Sequence, residues 1–512
     1  MRYLFLFSPM FHEWPLAIAK RLSEGQSSTE FMGLVAGKER VCRRVEGHQN
    51  PPITPLYRLY TLEKEWLETP FSKNELSKFE QILGHDVLNR IAVASRQIGY
   101  GWVTGGTIAK TPLMRLSRDT DAIRRYVVGL LNFLFRVFDE RRPDLVFCYV
   151  VAEAPAYGLA KVCEHFGVPF RRLTAARIGT QYIMDDTPEG YLGIVCDTYK
   201  NALNDPKDLM PFLPEAKKYL TEFRSTPEKP EYQLVSDRTE QRKRSLLALP
   251  SQLSRVLLAI LKGLRPHREC NEPTDWSRRS WLLRVNLKSL QLSLRSPFRA
   301  VGEIPDQPFA YFPLHIDPEE STMVCTPYHT NQLAIIELLS KSLPLGMDLV
   351  VKEHTAMIGR RPVGFYKALS KIPKVILVSA LERPFDLIRR AALTCVITGT
   401  AGWEAMMLQK PVLVLGENIP FLHVGEGVDH CPELYRLPSA ISSALKRPPA
   451  SDKSLELFIA ALLYHSFDFP TRLLWGKVTP EIIEDHRNIL ETFCERLETA
   501  ARKGSCRDVP NC

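Results

Sequence analysis

Lys352 and His354 stand two residues apart in the run LVVKEHTAMIGR. An ammonium and an imidazole at that spacing can both donate charge-assisted hydrogen bonds to a nucleotide phosphate. Further on, CVITGTAGWEAMMLQKPVLVLG carries Thr398, Gly399, Thr400, Gly402 and Glu404. Gly399 and Gly402 would let the backbone approach a ligand, and a helix beginning near Trp403 would aim its N–H groups and positive dipole end at a phosphate. Glu404, in the first turn of that helix, could accept hydrogen bonds from a ribose or a base, or simply complement the dipole. Trp403 reads as core. Upstream, His315, Asp317, Glu319 and Ser321 share one short loop. It suits sugar or phosphate contact, or the capping of a helix downstream. Among earlier residues, Glu153, Asp185 and Asp186 are the carboxylates best placed to act as base or nucleophile, and Arg177 follows a strand end.

These residues need elements that bring them together. Phe309–Leu314, Asp348–Lys352 and Thr394–Thr398 are short β-type runs, each ending at a polar or glycine-bearing turn. Helix-forming segments follow them, Gln332–Ser340 most clearly, and this alternation predicts parallel βα units whose strand-end turns face one crevice. The N-terminal half reads similarly. Arg2–Phe7 is a strand and Trp14–Leu22 a helix, with SPMFHE at the strand end where open α/β sheets bind ligands. Ile123–Phe138 has helical spacing, Asp144–Val150 is an apolar strand, Ala154–Phe166 is a helix stopped by Gly167, and Pro169–Leu173 is a strand. Residues 51–122 read as mixed helix and loop, with Gly101–Thr107 as a loop.

A chain of 512 residues exceeds one ordinary core, which predicts two α/β domains with connecting segments. Apolar residues at 45% and charged residues at 24% are ordinary for a soluble globular protein. The net charge of +9 suits an anionic ligand, a membrane surface or a plain basic face, and nothing points to nucleic acid. Eleven scattered cysteines without a CxxC pair or zinc spacing predict reduced thiols in a cytoplasmic protein and no metal centre. The opening MRYLFLFSPMFHEW reads as a buried strand, not a signal peptide, and Tyr126–Phe138 and Val256–Leu264 are too short to span a bilayer.

The predicted division is an N-terminal domain (1–225), a basic helical connector (226–305), a C-terminal domain (306–430) and a helical tail (431–512). From residue 242 to 299 of the connector, Arg242, Lys243, Arg244, Arg255, Lys262, Arg265, Arg268, Arg278, Arg279, Arg284, Lys288, Arg295 and Arg299 face only Glu269, Glu272 and Asp275. Leu253, Val256, Leu257, Ile260 and Leu264 fall at helical spacing among them, as in a packed connector helix or one lying on an anionic membrane. The tail reads as helices at Leu434–Leu445, Ser454–Tyr464 and Thr479–Ala501 with a frayed GSCRDVPNC end.

YFPLHIDPEES, LVVKEHTAMIGRRPVGFY and TGTAGWEAMMLQKPVLVLG together resemble the capsule polysaccharide biosynthesis family, which includes the bacterial Kdo transferases that build the lipid-linked base of capsules. The likeness covers roughly residues 309–430, and more weakly 144–190, where RIGTQYIMDD looks like a family loop. It implies a GT-B architecture, two Rossmann-like domains facing a cleft, and a metal-independent glycosyltransferase without a cofactor. The nucleotide-sugar donor would be held mainly by the C-terminal domain. A Lys-x-His-Pro motif and a Thr/Ser-bearing glycine turn contact the nucleotide in relatives that use CMP-sugars. The resemblance places Lys352 and His354 in the first role, and Thr398, Thr400 and Gly402 in the second. Thr355 stands where that motif has proline, and the Glu-Asp-Gly-Phe run of the β-Kdo transferases is absent, so CMP-Kdo is one candidate donor among others. The acceptor would be a glycan or a lipid-linked glycan, met at the inner membrane face. A capsule assembly or export protein that binds without catalysing, or a sugar-nucleotide epimerase, would fit the same fold.

Overall fold

The structure, a computed structural model, describes residues 1–24, 28–36, 39–96, 119–235, 254, 283–289, 291–292 and 296–505. The glycine-rich run Gly101–Thr107, most of the basic connector and the last seven residues lie outside this set.

Two sheets organise the chain. The N-terminal sheet holds β1 (Arg2–Phe7), β2 (Glu30–Val35), β3 (Ile53–Arg58), β4 (Leu145–Cys148), β5 (Phe170–Ala175) and β6 (Gln181–Asp185). The C-terminal sheet holds β7 (Phe309–Pro313), β8 (Asp348–Lys352), β9 (Val375–Val378), β10 (Leu393–Val396), β11 (Val412–Val414) and β12 (Val428–His430). A last strand, β13 (Ser466–Asp468), returns to the first sheet. The spatial orders are β13-β6-β5-β4-β1-β2-β3 and β12-β11-β10-β7-β8-β9. The second sheet is parallel throughout, and in the first only β6 and β13 run antiparallel to their neighbours. Each sheet therefore reverses direction of growth once, between β1 and β4 and between β7 and β10, and such switch points open a crevice at the carboxyl ends of the strands. The architecture is GT-B-like, two Rossmann-like halves facing a cleft.

The strands form where apolar runs can be buried on both faces, as parallel strands require. RYLFLF and LVFC are covered almost completely. The helix Ala154–Phe166 starts with Pro155 in its first turn and stops at Gly167, whose φ of +67° suits the left-handed cap glycine adopts at little cost. Residues 51–122 contain a strand that periodicity missed. β3 has a single fully buried residue, Ile53, so its pattern lacks the alternation that marks a strand. β2 was also unmarked, and Gly33 within it leaves room for Leu56 and Ile53 of β3.

The tail is not an appendage. β13 pairs antiparallel with β6, and Phe469, Phe493 and Leu497 join Phe11, Trp14 and Phe147 in the core beneath the N-terminal sheet. The stretch expected as one helix, Thr479–Ala501, is divided into Pro480–Glu484 and Arg487–Ser505. The helix Asp452–His465 joins Gly193–Ala202 and Leu213–Ser225 in a core shared with the C-terminal sheet. Residues 193–225 therefore pack between the two halves, and the Arg224 guanidinium grips Asp452 at 2.6 and 2.9 Å and the Met407 carbonyl at 2.8 Å.

Candidate functional site

The cleft between the sheets is a cavity of about 440 Å³. From the C-terminal half it is lined by His315, Glu319, Glu320, Ser321, His354, Thr398, Gly399 and Thr400. From the N-terminal half come Arg172, Thr174, Arg177 and Glu189, and from the segment that follows it Lys229, Tyr232 and Gln233.

The C-terminal wall is built by the turns after β7, β8 and β10. His315 follows β7 and is buried, and its Nε2 accepts the Thr398 N–H at 3.2 Å across the switch point. Burial, with His354 nearby, pushes its pKa down to about 3, so the ring is neutral with its proton on Nδ1. A side chain at Gly399 would stand 3.3 Å from that same Nε2, a contact that the His315 ring would have to yield to. Thr398 Oγ1 donates to the Ser321 carbonyl at 3.3 Å. The helix Thr400–Met407 then begins with Thr400 and Ala401 at the cleft wall, while the Gly402 N–H donates to the Gly399 carbonyl at 3.1 Å. His354 heads the short helical turn Thr355–Met357. Its Nδ1 accepts the Ala356 N–H at 3.1 Å, which places the proton of the neutral ring on Nε2.

Glu319 contributes a carboxylate that accepts from Ser321 Oγ at 2.6 Å, and burial lifts its pKa above the usual range. Glu320 pairs instead with Arg172 of β5, an ion pair that joins the two halves across the cleft. Arg177 holds a left-handed backbone, φ +64°, which is costly for a long side chain and which a functional site can require. Its Nη1 is buried without a hydrogen-bond partner among the described residues. Gln233 Nε2 donates to Thr400 Oγ1 at 2.8 Å, so the first residues after the N-terminal half reach over the helix start.

Of the residues expected at the site, the structure brings His315, Glu319, Ser321, Arg177, His354, Thr398, Gly399 and Thr400 to one cleft. The others lie elsewhere. Lys352 is buried, and its Nζ donates to the Ala380 carbonyl at 2.9 Å, closing the end of β8 against the turn after β9. Gly402 is glycine for packing, since a Cβ there would meet Phe421 and Val396 at 2.8 Å. Glu404 is buried behind the cleft beside Arg177 and Trp403, and burial lifts its pKa to about 7. Asp185 is fully buried and holds the following loop through Thr187 and Leu192, with burial raising its pKa to about 6. Glu153 immediately precedes the helix Ala154–Phe166 without capping it through its side chain, which instead accepts the Arg96 N–H at 3.0 Å, and burial raises its pKa to about 7. Neither it nor Asp186 lines the cleft.

Arg172, Glu189, Lys229, Tyr232 and Gln233 were not expected in the lining. Arg172 sits inside a strand, where alternation gives no hint that its side chain turns toward the cleft, Glu189 and Lys229 lie in loops, and Tyr232 and Gln233 lie in the helical stretch 231–235. Among the described residues no group of His, Cys, Asp and Glu could hold a metal ion, and no helix is long and apolar enough to cross a membrane.

No family model and no curated protein matches the chain. Solved structures similar to it include the beta Kdo 2,7 transferase of Thermosulfurimonas dismutans KpsC, at 15% identity and TM-score 0.29 over 65% of this chain and 80% of that one. UDP-GlcNAc 2-epimerase from Neisseria meningitidis, bound to UDP-GlcNAc, is 12% identical with TM-score 0.28 over 90% and 98% of the two chains. Anabaena Alr3699/HepE, in complex with UDP and glucose, is 10% identical with TM-score 0.23 over 97% and 100%. At such TM-scores these likenesses carry no weight for the chemistry of this cleft.

Proposed function

We propose that the chain is a glycosyltransferase that moves a sugar from a nucleotide-sugar donor to a glycan or lipid-linked acceptor in bacterial surface polysaccharide synthesis, with CMP-Kdo among the candidate donors. The observation that carries this reading is the convergence, at the switch point of a Rossmann-like sheet, of a helix start, His354 and Arg177 on one cleft. Each of these favours an anion, and together they suit the phosphate of a nucleotide.

In this reading the donor phosphate lies over the amides of Gly399, Thr400 and Ala401. His354 Nε2–H and the Arg177 guanidinium offset the charge that develops on the leaving phosphate, an electrostatic contribution that grows toward the transition state. Glu319 takes the role first given to the carboxylates of the N-terminal half. It lines the cleft and its lifted pKa suits a group that must accept a proton from an acceptor hydroxyl. The basic connector would hold the enzyme at the cytoplasmic face of an anionic membrane, where lipid-linked acceptors lie.

A thermal-shift screen against CMP, CDP, UDP and GDP tests the reading, because a ligand that binds only the folded state raises the melting temperature by mass action. One nucleotide is expected to raise it by several degrees in the unaltered protein and not in His354→Ala. No shift with any of the four would remove the basis of the proposal.

A further inference from the structure

Glu353, between the two residues first singled out, carries one of the most deeply buried charges in the chain. Its side chain is 0% exposed and pairs with Arg361, 2% exposed, at 2.9 Å. Burial works against its charge, but the Arg361 guanidinium and hydrogen bonds from Arg361, Tyr366 and His354 outweigh it and hold the carboxyl below its ordinary range.

A buried ion pair is seldom a gain in stability over apolar residues of the same size, so its retention calls for a further reason. The partners supply one. Glu353 Oε1 accepts the N–H of His354 at 2.5 Å, the amide that opens the turn after β8. Arg361 Nε and Nη2 reach the two carboxylate oxygens, and Nη2 also donates to the His315 carbonyl at 2.7 Å, in the turn after β7. The ring of His315 in turn accepts from Thr398, in the turn after β10. Tyr366 Oη donates to Glu353 Oε2 at 2.7 Å, and the guanidinium lies 5.0 Å over the Phe365 ring, so the pair is clamped from behind. Gly359 lets the chain double back to place Arg361. Its φ is +75°, and a Cβ would come within 2.3 Å of the Val285 carbonyl oxygen.

We infer that Glu353 and Arg361 form a positioning pair, which locks the three strand-end turns of the cleft to one another and so sets His354 and the start of the helix Thr400–Met407 for the ligand. The inference deepens the nucleotide reading, but the locking of the turns can be measured without a ligand.

Arg361→Lys keeps the charge and the contact with Glu353, but an ammonium cannot span the carboxylate and the His315 carbonyl as the planar fork does. In full-length protein labelled with ¹⁵N-histidine, the ring signals of His315 and His354 are recorded, assigned with His315→Asn and His354→Ala. Arg361→Lys is expected to shift both, while remote rings such as His165 and His486 keep their positions. Unmoved His315 and His354 signals would overturn the inference, whatever happens to the melting temperature. Should Arg361→Lys not fold, Tyr366→Phe, which removes one hydrogen bond and no charge, is read in the same way. With CMP and UDP as probes, Arg361→Lys is expected to weaken binding about tenfold. The double variant with His354→Ala should lose less than the sum of the two single losses, since the pair acts in part through that residue. Fully additive losses would overturn the inference. If the unaltered protein binds neither of these nor CDP or GDP, the proposed function falls, and the histidine signals alone decide this inference.

Discussion

Glu319 and Glu404 are both lifted by burial, yet the cleft lining includes the first and not the second. Their variants should therefore part company. Glu319→Gln is expected to lower the rate of sugar transfer, followed as nucleotide release, by about 10²–10⁴-fold, while the thermal shift with nucleotide persists. Because the raised pKa leaves less carboxylate at low pH, the rate of the unaltered enzyme should climb with pH through that lifted value, and a pH–rate profile checks it. Glu404 speaks to stability instead. Its folded pKa of about 7 lies above the ordinary 4.5, so the folded state holds the proton more tightly than the unfolded one. Stability from the neutral carboxyl is complete below about pH 4.5 and is lost as pH rises through 7, a cost of at most about 3 kcal/mol. Glu404→Gln should accordingly unfold at higher urea than the unaltered protein at pH 8 and at nearly the same urea at pH 5.

Among the elements, the βα units of the C-terminal half were legible because their strands are short apolar runs that end at polar turns. Asp348–Lys352 is a strand at its expected bounds, and His315, His354 and Thr398 meet because β7, β8 and β10 lie side by side. Side-chain direction was not legible. Lys352 and His354 differ by two positions, but the strand ends between them, so one side chain turns under the sheet edge and the other lines the cleft. Pairings between distant segments were also out of reach, since nothing local in Ser466–Asp468 marks it as the partner of β6. Gly402 shows how a glycine misleads. It was expected at a ligand, whereas Phe421 and Val396 fill the space beside it. Gly402→Ala should cost about 1–3 kcal/mol through overpacking, read as a lower urea midpoint, and leave the nucleotide shift in place.

Across the whole molecule, the two halves are joined by more than a linker. Arg172 and Glu320 pair across the cleft, Tyr191 meets His423, and three helices from both ends of the chain share the core of the C-terminal half. The tail completes the N-terminal sheet after the C-terminal sheet has been built, so the chain crosses between the halves twice. This arrangement fixes the cleft as the place where the switch point of the C-terminal sheet faces the end of β5 and the loops after it. The central claim is that this cleft takes a nucleotide through the three turns of the C-terminal wall. The most direct test is a crystal structure of the full chain soaked with whichever of CMP, CDP, UDP or GDP gives the largest thermal shift. The account requires phosphate density within hydrogen-bond reach of the Gly399, Thr400 and Ala401 amides and of His354. Density in another part of the molecule, such as the groove between the helices Glu13–Ser23 and Arg487–Ser505, with the cleft empty, would contradict it.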